Sequence, residues 1–348
     1  MSKSLGNSPD PIDLINQYGA DGVRVGMLLC APAGGDLLFD ESLPEQGRNF
    51  TTKIWNAFRL VSNWKVADLE QPLHSKLALE WFEQYLNKCK ETLNTQFEQY
   101  RISEALMTVY TGFRDEFSSW LLEIIKPGFE QPIDRITYDK TIYLFEEMLQ
   151  LLHPFMPFIT EEIFCTIQNE EESIMISKWP EYSEDRAFPA EEKAIETIKE
   201  AVRGIRNIRT EMNVAPSRKA SVYVVSENDE IRKIFEEGKL FFASLAYANE
   251  IMIQADKTGI ADDAVSVVIP GATLYIPFAE LVDIAQEIER LKKEQKRLEG
   301  ELARSKGMLS NERFLSKAPE AKIAEEKEKQ AKYEQMMEQV TKRLEQLA

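Results

Sequence analysis

From about residue 44 to residue 216 the apolar residues keep a helical rhythm with hardly a break, and this constrains the fold more than any other feature. Segments with a 3.6-residue period run near 46–65, 75–99, 102–126, 137–168 and 190–213. Their punctuation is Pro72, Pro127-Gly128, Pro132 and a loop spanning Pro180 and Pro189. Proline lacks the amide a helix interior needs and clashes with the preceding turn, so each marks a stop. In the first segment Phe50, Ile54, Trp55, Phe58 and Val61 form a stripe broad enough for burial in a bundle. Five such segments predict an α-helical bundle over residues 46–215.

The flanks differ. Before the bundle, Asp10 suits an N-cap, Pro11 the first helical position and Gly19 the residue after the helix. A second helix is expected from about Asp21 to Cys30, stopping at Pro32, with a brief extended piece from Leu37 to Asp40. After Pro216, Ala220–Val225, Glu250–Ile253, Ala264–Ile269 and Thr273–Phe278 read as strands around a helix at 229–247, with Pro270-Gly271 as a turn. Beyond that, Leu281, Ile284, Ile288, Leu291, Leu298 and Leu302 follow a 3–4–3 spacing, interrupted by Gln295. The heptad resumes at Tyr333, Met337, Val340, Leu344 and Leu347 after a loop around Ser310 to Pro319. The expected architecture is mainly α: a short segment 1–45, the bundle 46–215, a small α/β unit 216–278, and an antiparallel coiled-coil hairpin 279–348 projecting about 40 Å.

Composition excludes several functions. No stretch approaches the roughly 18 apolar residues of a membrane helix, and residues 1–30 lack the layout of a signal peptide. Cys30, Cys89 and Cys165 are far apart and read as reduced thiols of a cytoplasmic protein. With only His74 and His153, no metal centre or histidine-dependent triad is expected. The net charge of −17 argues against nucleic acid in general, and DNA is not an expected partner. However, residues 279–348 hold 15 basic and 15 acidic side chains, so the acid excess belongs to residues 1–278. A nucleic-acid site would have to be a local basic stripe on an acidic body.

Three candidate stripes exist. Arg203, Arg206 and Arg209 recur at i, i+3 and i+6 on one helix, followed by Arg218 and Lys219. They can meet phosphates, or they can pair with nearby acids such as Glu200 and Glu211. Asn49, Lys53, Asn56 and Arg59 on the helix 46–65 can contact RNA or be solvated. Lys292, Lys293, Lys296 and Arg297 cluster on the hairpin, as a grip or as a charged heptad flank. Reading single-stranded bases needs stacking aromatics. Trp81, Phe82, Tyr100 and Trp120 are available, with burial in the core the expected fate of each; His153 is assigned packing and no chemistry. At the chain start, Ser2-Lys3-Ser4-Leu5-Gly6 offers a mobile cation and hydroxyl donors suited to phosphate, or simply a solvated terminus.

Met1-Ser2-Lys3-Ser4 resembles the last four residues of the KMSKS signature of class I aminoacyl-tRNA synthetases. The continuation Leu5-Gly6-Asn7, the run from Asp10 to Arg24 and Gly47-Arg48-Asn49-Phe50-Thr51-Thr52-Lys53-Ile54-Trp55-Asn56-Ala57-Phe58-Arg59 resemble the valyl branch. So do His153-Pro154-Phe155-Met156-Pro157-Phe158, Ile205-Arg206-Asn207-Ile208-Arg209 and Leu309-Ser310-Asn311-Glu312-Arg313-Phe314. The resemblance covers essentially the whole chain. It implies an anticodon-binding bundle, a tRNA-binding coiled-coil arm and, in the parent enzyme, Mg-dependent use of ATP, with Lys3 catalytic and Ser2, Lys3 and Ser4 at the ATP phosphates. It also implies tRNA(Val) as partner, a cytoplasmic location and a monomeric parent. The first lysine of the signature, the HIGH motif, the amino-acid pocket and an editing domain are missing from these residues. The expectation is therefore a C-terminal fragment that binds and positions tRNA for valyl-tRNA aminoacylation, has no activity alone and holds no ATP. Its alternatives are an isoleucyl-type fragment and a non-catalytic RNA-binding or coiled-coil scaffold protein.

Overall fold

The computed structural model describes residues 9–31, 39–168, 173–281, 284–311 and 320–347. Helix α1 (Pro11–Tyr18) begins as its sequence dictates. The Asp10 carboxylate accepts from the Ile12 amide at 2.8 Å, and Gly19 ends the helix at φ 77°. Helices α2 (Ala20–Leu29) and α3 (Ser42–Ser62) cross at backbone contact. A Cβ on Gly26 would stand 2.5 Å from the Pro44 nitrogen, and one on Gly47 2.4 Å from the Gly22 carbonyl oxygen, so both positions demand glycine.

The bundle continues through α4 (Leu73–Glu98), α5 (Ile102–Thr111), a π-helical stretch (Gly112–Leu121), α6 (Leu122–Ile125), α7 (Arg135–Leu152), α8 (Pro157–Gln168) and α9 (Pro189–Glu211). Its centre is aromatic. Phe113, Phe117 and Phe145 are fully buried, with ring centroids 5.1 to 5.6 Å apart, and Phe82 lies 5.4 Å from Phe117. One ion network is enclosed beside this core. Glu147 receives Lys90 at 2.9 Å and Arg186 at 2.6 Å, while Glu83 receives Arg186 and Lys140, each at 2.7 Å. Asn87 donates to the carbonyls of Ser183 and Arg186, so this network fastens the loop before α9 onto α4 and α7.

The first two helices are locked to the bundle. Asp21, 5% exposed, accepts from the Ile159 amide at 2.7 Å and the Phe158 amide at 3.3 Å, capping α8. Arg24 donates to the carbonyls of Pro154 and Phe155. His153 Nδ1 lies 2.7 Å from the Thr160 hydroxyl.

The α/β unit is a four-stranded sheet in the order β4-β3-β6-β5. Here β3 is Ala220–Val225, β4 Ala248–Gln254, β5 Val265–Ile269 and β6 Ala272–Ile276. Strand β3 pairs in parallel with β4 (Val224 opposite Ile253) and antiparallel with β6 (Tyr223 opposite Tyr275). The β5–β6 hairpin turns at Pro270-Gly271, with Gly271 at φ 81°. Helices α10 (Asp229–Glu237) and α11 (Lys239–Leu245) lie between β3 and β4. Helix α9 joins this unit to the bundle, and the buried core runs unbroken from Val25 to Leu281. A short α12 (Phe278–Leu281) precedes the arm, formed by α13 (Ile284–Leu309) and α14 (Glu320–Leu347) packed on each other. Within the arm Leu291 and Leu298 are buried, as the heptad requires, and Ser305 shares their face at 1% exposure.

Several expectations need correction. The segment 137–168 is two helices, because Pro154 and Pro157 break it at the point where Asp21 supplies a new cap. The segment 229–247 is also two, divided at Gly238, where a Cβ would meet Ile198 at 2.4 Å. Phe278 begins α12 instead of ending a strand. A two-residue parallel pair, β1 (Val66–Ala67) with β2 (Ile133–Asp134), was not expected. Tyr100 is not buried: it is 83% exposed at φ 58°, in the turn between α4 and α5. Leu37 and Leu38 of the extended piece expected at Leu37–Asp40, and the loop expected around Ser310–Pro319 from 312 onward, lie outside the described residues.

Candidate nucleic-acid interface

Asn49, Lys53 and Asn56 share one face of α3, because offsets of 4 and 7 residues return to nearly the same side of a helix, and Arg59 stands at the edge of that face, about 80° round from Asn49. Asn49, Asn56 and Arg59 are exposed. Lys53 is half-buried and donates to the Ser119 hydroxyl at 3.1 Å. Burial and the nearby Arg114 charge pull its ammonium below the ordinary lysine range, against the opposing pull of Asp115 and Glu123.

Two clefts open along this face. The first, about 530 Å³, includes Lys53, Ser119, Arg206, Arg209, Pro216 and Tyr247 in its lining. The second, about 640 Å³, is bordered by Asn56, Arg59, Lys65, Lys126 and Phe129. Phe129 is 91% exposed, an aromatic ring displayed among cations by the Pro127-Gly128 loop. Glu123, at the edge of the first cleft, pairs with Lys126 of the second at 2.6 Å.

The arginine row on α9 is not a uniform edge. Arg203 is exposed, Arg206 half-buried and Arg209 only 4% exposed. Arg203 and Arg206 lie over the Trp120 ring at 5.4 and 5.6 Å; Arg206 and Arg209 flank Tyr247 at 5.9 and 5.2 Å. Arg206 Nε donates to the Leu245 carbonyl at 3.0 Å. Arg209 donates to the carbonyls of Ala215 and Arg218, and burial lowers its pKa. The alternative of pairing with Glu200 and Glu211 is not what forms: among the described residues the three arginines make no ion pair within 4 Å. Their partners are aromatic rings and carbonyls, which hold the guanidinium groups in place and leave their charge unneutralised. Arg218 acts as a brace, donating to the carbonyls of Ala279 and Glu280.

On the arm the four cations divide. Lys293 pairs with Glu289 and Arg297 with Glu294, each on its own helix. Lys292 and Lys296, one turn apart, are exposed with no ion pair among the described residues. Trp81, Phe82 and Trp120 are buried and serve the core. Ser2, Lys3 and Ser4 lie outside the described residues. Lys65, Lys126, Phe129 and Tyr247 were missed from sequence, and an aromatic beside a Pro-Gly break was the only signal for one of them. Among the described residues no group of His, Cys, Asp and Glu could hold a metal, and no helix is long and apolar enough to cross a membrane.

Comparison with known proteins fits this arrangement. Residues 80–224 match the anticodon-binding domain of tRNA ligase, and residues 283–348 the valyl tRNA synthetase tRNA binding arm. The valine–tRNA ligase of Phocaeicola vulgatus is 54% identical over 230 residues, 66% of this chain and 26% of that protein. That of Christiangramia forsetii is 41% identical over 342 residues, 97% of this chain and 38% of that protein. That of Clostridium tetani is 40% identical over 358 residues, 100% of this chain and 40% of that protein. The chain thus spans between a quarter and two fifths of the length of these curated relatives. With an anticodon-binding bundle, a valyl-type arm and relatives aligned along nearly its whole length, the chain belongs to the valyl-tRNA synthetases, as their C-terminal region.

Proposed function

We propose that this chain binds and positions tRNA(Val) in the cytoplasm as the RNA-handling part of a valine–tRNA ligase. The observation that carries the reading is the face of α3. Its Lys53, Asn56 and Arg59 line two clefts whose other walls bring Arg206, Lys65, Lys126 and an exposed Phe129, with the exposed Asn49 one turn before Lys53. Cations fixed at intervals suit a phosphate backbone, and a displayed ring among cations suits a splayed base. Arg203 adds a cation beside the first cleft, and Lys292 and Lys296 extend the basic surface onto the arm. Asn49 and Asn56 supply neutral hydrogen-bonding groups between the charges. In the whole enzyme Lys3, with Ser2 and Ser4, would meet the phosphates of Mg-bound ATP as the aminoacyl-adenylate forms. The 348 residues alone are expected to carry out no adenylate chemistry.

Filter binding of purified tRNA species to the full chain at two salt concentrations tests this. Six engaged cations (Lys53, Arg59, Arg203, Arg206, Lys292 and Lys296) give a log–log salt slope of roughly −4 to −5, hence roughly 250- to 1000-fold weaker binding at 200 mM than at 50 mM salt. No preference for valine tRNA over isoleucine tRNA, together with a flat salt response, would overturn the reading. Robust ATP–pyrophosphate exchange with valine by this chain alone would overturn its second half.

A further inference from the structure

The first cleft contains a detail that general RNA binding does not require. Among the described residues the Ser118 hydroxyl is a buried side-chain oxygen with no hydrogen-bond partner, and Ser118 is one of the residues that line this cleft. A buried hydroxyl left unpaired costs about 1–3 kcal/mol, so its retention calls for an explanation.

Its position comes from the π-helical stretch Gly112–Leu121. The wider i→i+5 turn narrows the angle between consecutive side chains, so neighbouring Ser118 and Ser119 both reach one cleft. Ser119 spends its own proton on the Arg114 carbonyl at 2.8 Å and therefore accepts from Lys53 at 3.1 Å. The Lys53 ammonium has three donors, of which this uses one. Across the cleft Arg206 commits Nε to the Leu245 carbonyl, leaving its terminal nitrogens without a hydrogen bond among the described residues. Tyr247, at φ 56°, holds its ring between Arg206 and Arg209. A non-glycine residue in this left-handed conformation carries strain of the kind that clusters at functional positions. In the cleft lining the charges do not balance: Lys53, Arg206 and Arg209 face one carboxylate, Glu123, which already pairs with Lys126, and the nearby Asp115 pairs with Arg114. Burial and the Arg114 charge disfavour the Lys53 cation as it stands, and an arriving anion would relieve this.

We propose that this cleft seats one phosphodiester of the bound RNA. The Ser118 hydroxyl and Lys53 donate to its free oxygens, and Arg206 supplies the opposing charge. The inference rests on the tRNA reading above and deepens it from a basic face to one built phosphate seat. At about 530 Å³ the cleft has room for the phosphate with a flanking ribose. Its walls come from the bundle (α3 and the π-helical stretch), from α9 and from the α/β unit (Tyr247), so an occupant would brace the joint between them.

The test uses the full chain and the variants Ser118→Ala, Ser118→Thr and Lys53→Met, with thermal midpoints recorded for each. Ser118→Ala is expected to keep or raise the midpoint, since it removes an unsatisfied hydroxyl, yet to weaken tRNA binding about 5- to 10-fold. Ser118→Thr, which retains the hydroxyl, should restore most of that loss. Lys53→Met should flatten the salt slope by about 0.7–0.9, one phosphate contact. Ser118→Ala binding tRNA as tightly as the parent, or an unchanged slope in Lys53→Met, overturns the proposal while leaving general tRNA binding intact. Titration with inorganic phosphate separates the sources. Phosphate that competes with tRNA in the parent and less so in Ser118→Ala supports an RNA phosphate in the seat. Phosphate that binds through Ser118 without affecting tRNA overturns it in favour of a free-anion site. If the parent binds no tRNA at all, the proposed function fails, and this inference fails with it.

Discussion

The enclosed ion network makes an asymmetric prediction. Lys90 is fully buried and Glu147 nearly so, and Glu147 also receives two hydrogen bonds from Arg186, at 2.7 and 2.6 Å. In Glu147→Gln, Lys90 keeps its charge without a counter-ion and Arg186 loses its bidentate partner. Stranding a buried charge costs about 3–5 kcal/mol. In Lys90→Met the carboxylate keeps Arg186 and the core keeps its volume, so the change should fall within about 1.5 kcal/mol either way. Urea unfolding followed by far-ultraviolet circular dichroism reads both. With a slope of about 3 kcal/mol/M, the Glu147→Gln midpoint falls by roughly 1–1.7 M, and that of Lys90→Met by less than about 0.5 M. The pH dependence gives a second signature. Burial pushes the Glu147 carboxyl up, but Arg186 and Lys90 outweigh it and hold its pKa below the ordinary glutamate range. The unfolded chain therefore binds this proton first as pH falls. The stabilisation is full above the ordinary glutamate pKa and fades as pH drops through the lower folded value, so the gap between parent and Glu147→Gln should close in acid. Equal losses in the two variants, or a gap that widens in acid, would refute the reasoning.

Other predictions follow from single contacts. Gly26→Ala drives a methyl into the Pro44 backbone and should lower stability by about 2–3 kcal/mol, measured by the same unfolding assay. Tyr100→Asn places a residue tolerant of positive φ at an exposed left-handed turn, and should raise the thermal midpoint by the equivalent of about 0.5–1 kcal/mol. Asp21→Ala removes the cap of α8 and should cost about 1–2 kcal/mol. Burial raises the Asp21 pKa against the pull of the Ile159 and Phe158 amides, so the folded state holds this proton longer. The penalty of Asp21→Ala should then shrink as pH rises through that raised value, which unfolding at several pH values would show.

Local chemistry made much of this fold readable. Asp10, Pro11 and Gly19 announce α1, Pro270-Gly271 announces a hairpin, and the spacing of Leu291 and Leu298 announces the arm. What escaped was set by tertiary contact. A π-helical turn inserts no residue type that marks it, so the 3.6-residue period at 102–126 hides the geometry that brings Ser118 and Ser119 together. Arg209 has the same spacing from Arg206 as Arg206 has from Arg203. Only the return of the chain at Ala215 and Arg218 buries it. Tyr100 looks like core because it is aromatic and sits between two apolar helices. The tight α4–α5 turn throws it outward. The candidate face on α3 was legible because one helix carries it. The clefts were not, since their other walls come from separate parts of the chain: the π-helical stretch, α9 and Tyr247 for the first, and the Pro127-Gly128 loop for the second.

The unbroken core from Val25 to Leu281 has a consequence for how this chain can be divided. A boundary drawn near residue 216 follows the change in sequence texture, yet it would saw through a shared interior. Val267 of β5 sits against the bare backbone of Gly204 on α9, and Ile198 fills the notch at Gly238. Neither half would retain a closed surface, and both would be expected to precipitate or scavenge other chains. The arm is different: its buried leucines at 291 and 298 belong to its own seam, outside that interior. Severance after Leu281 should therefore leave the rest folded, making the arm a detachable handle whose grip can be weighed separately from the body that carries it.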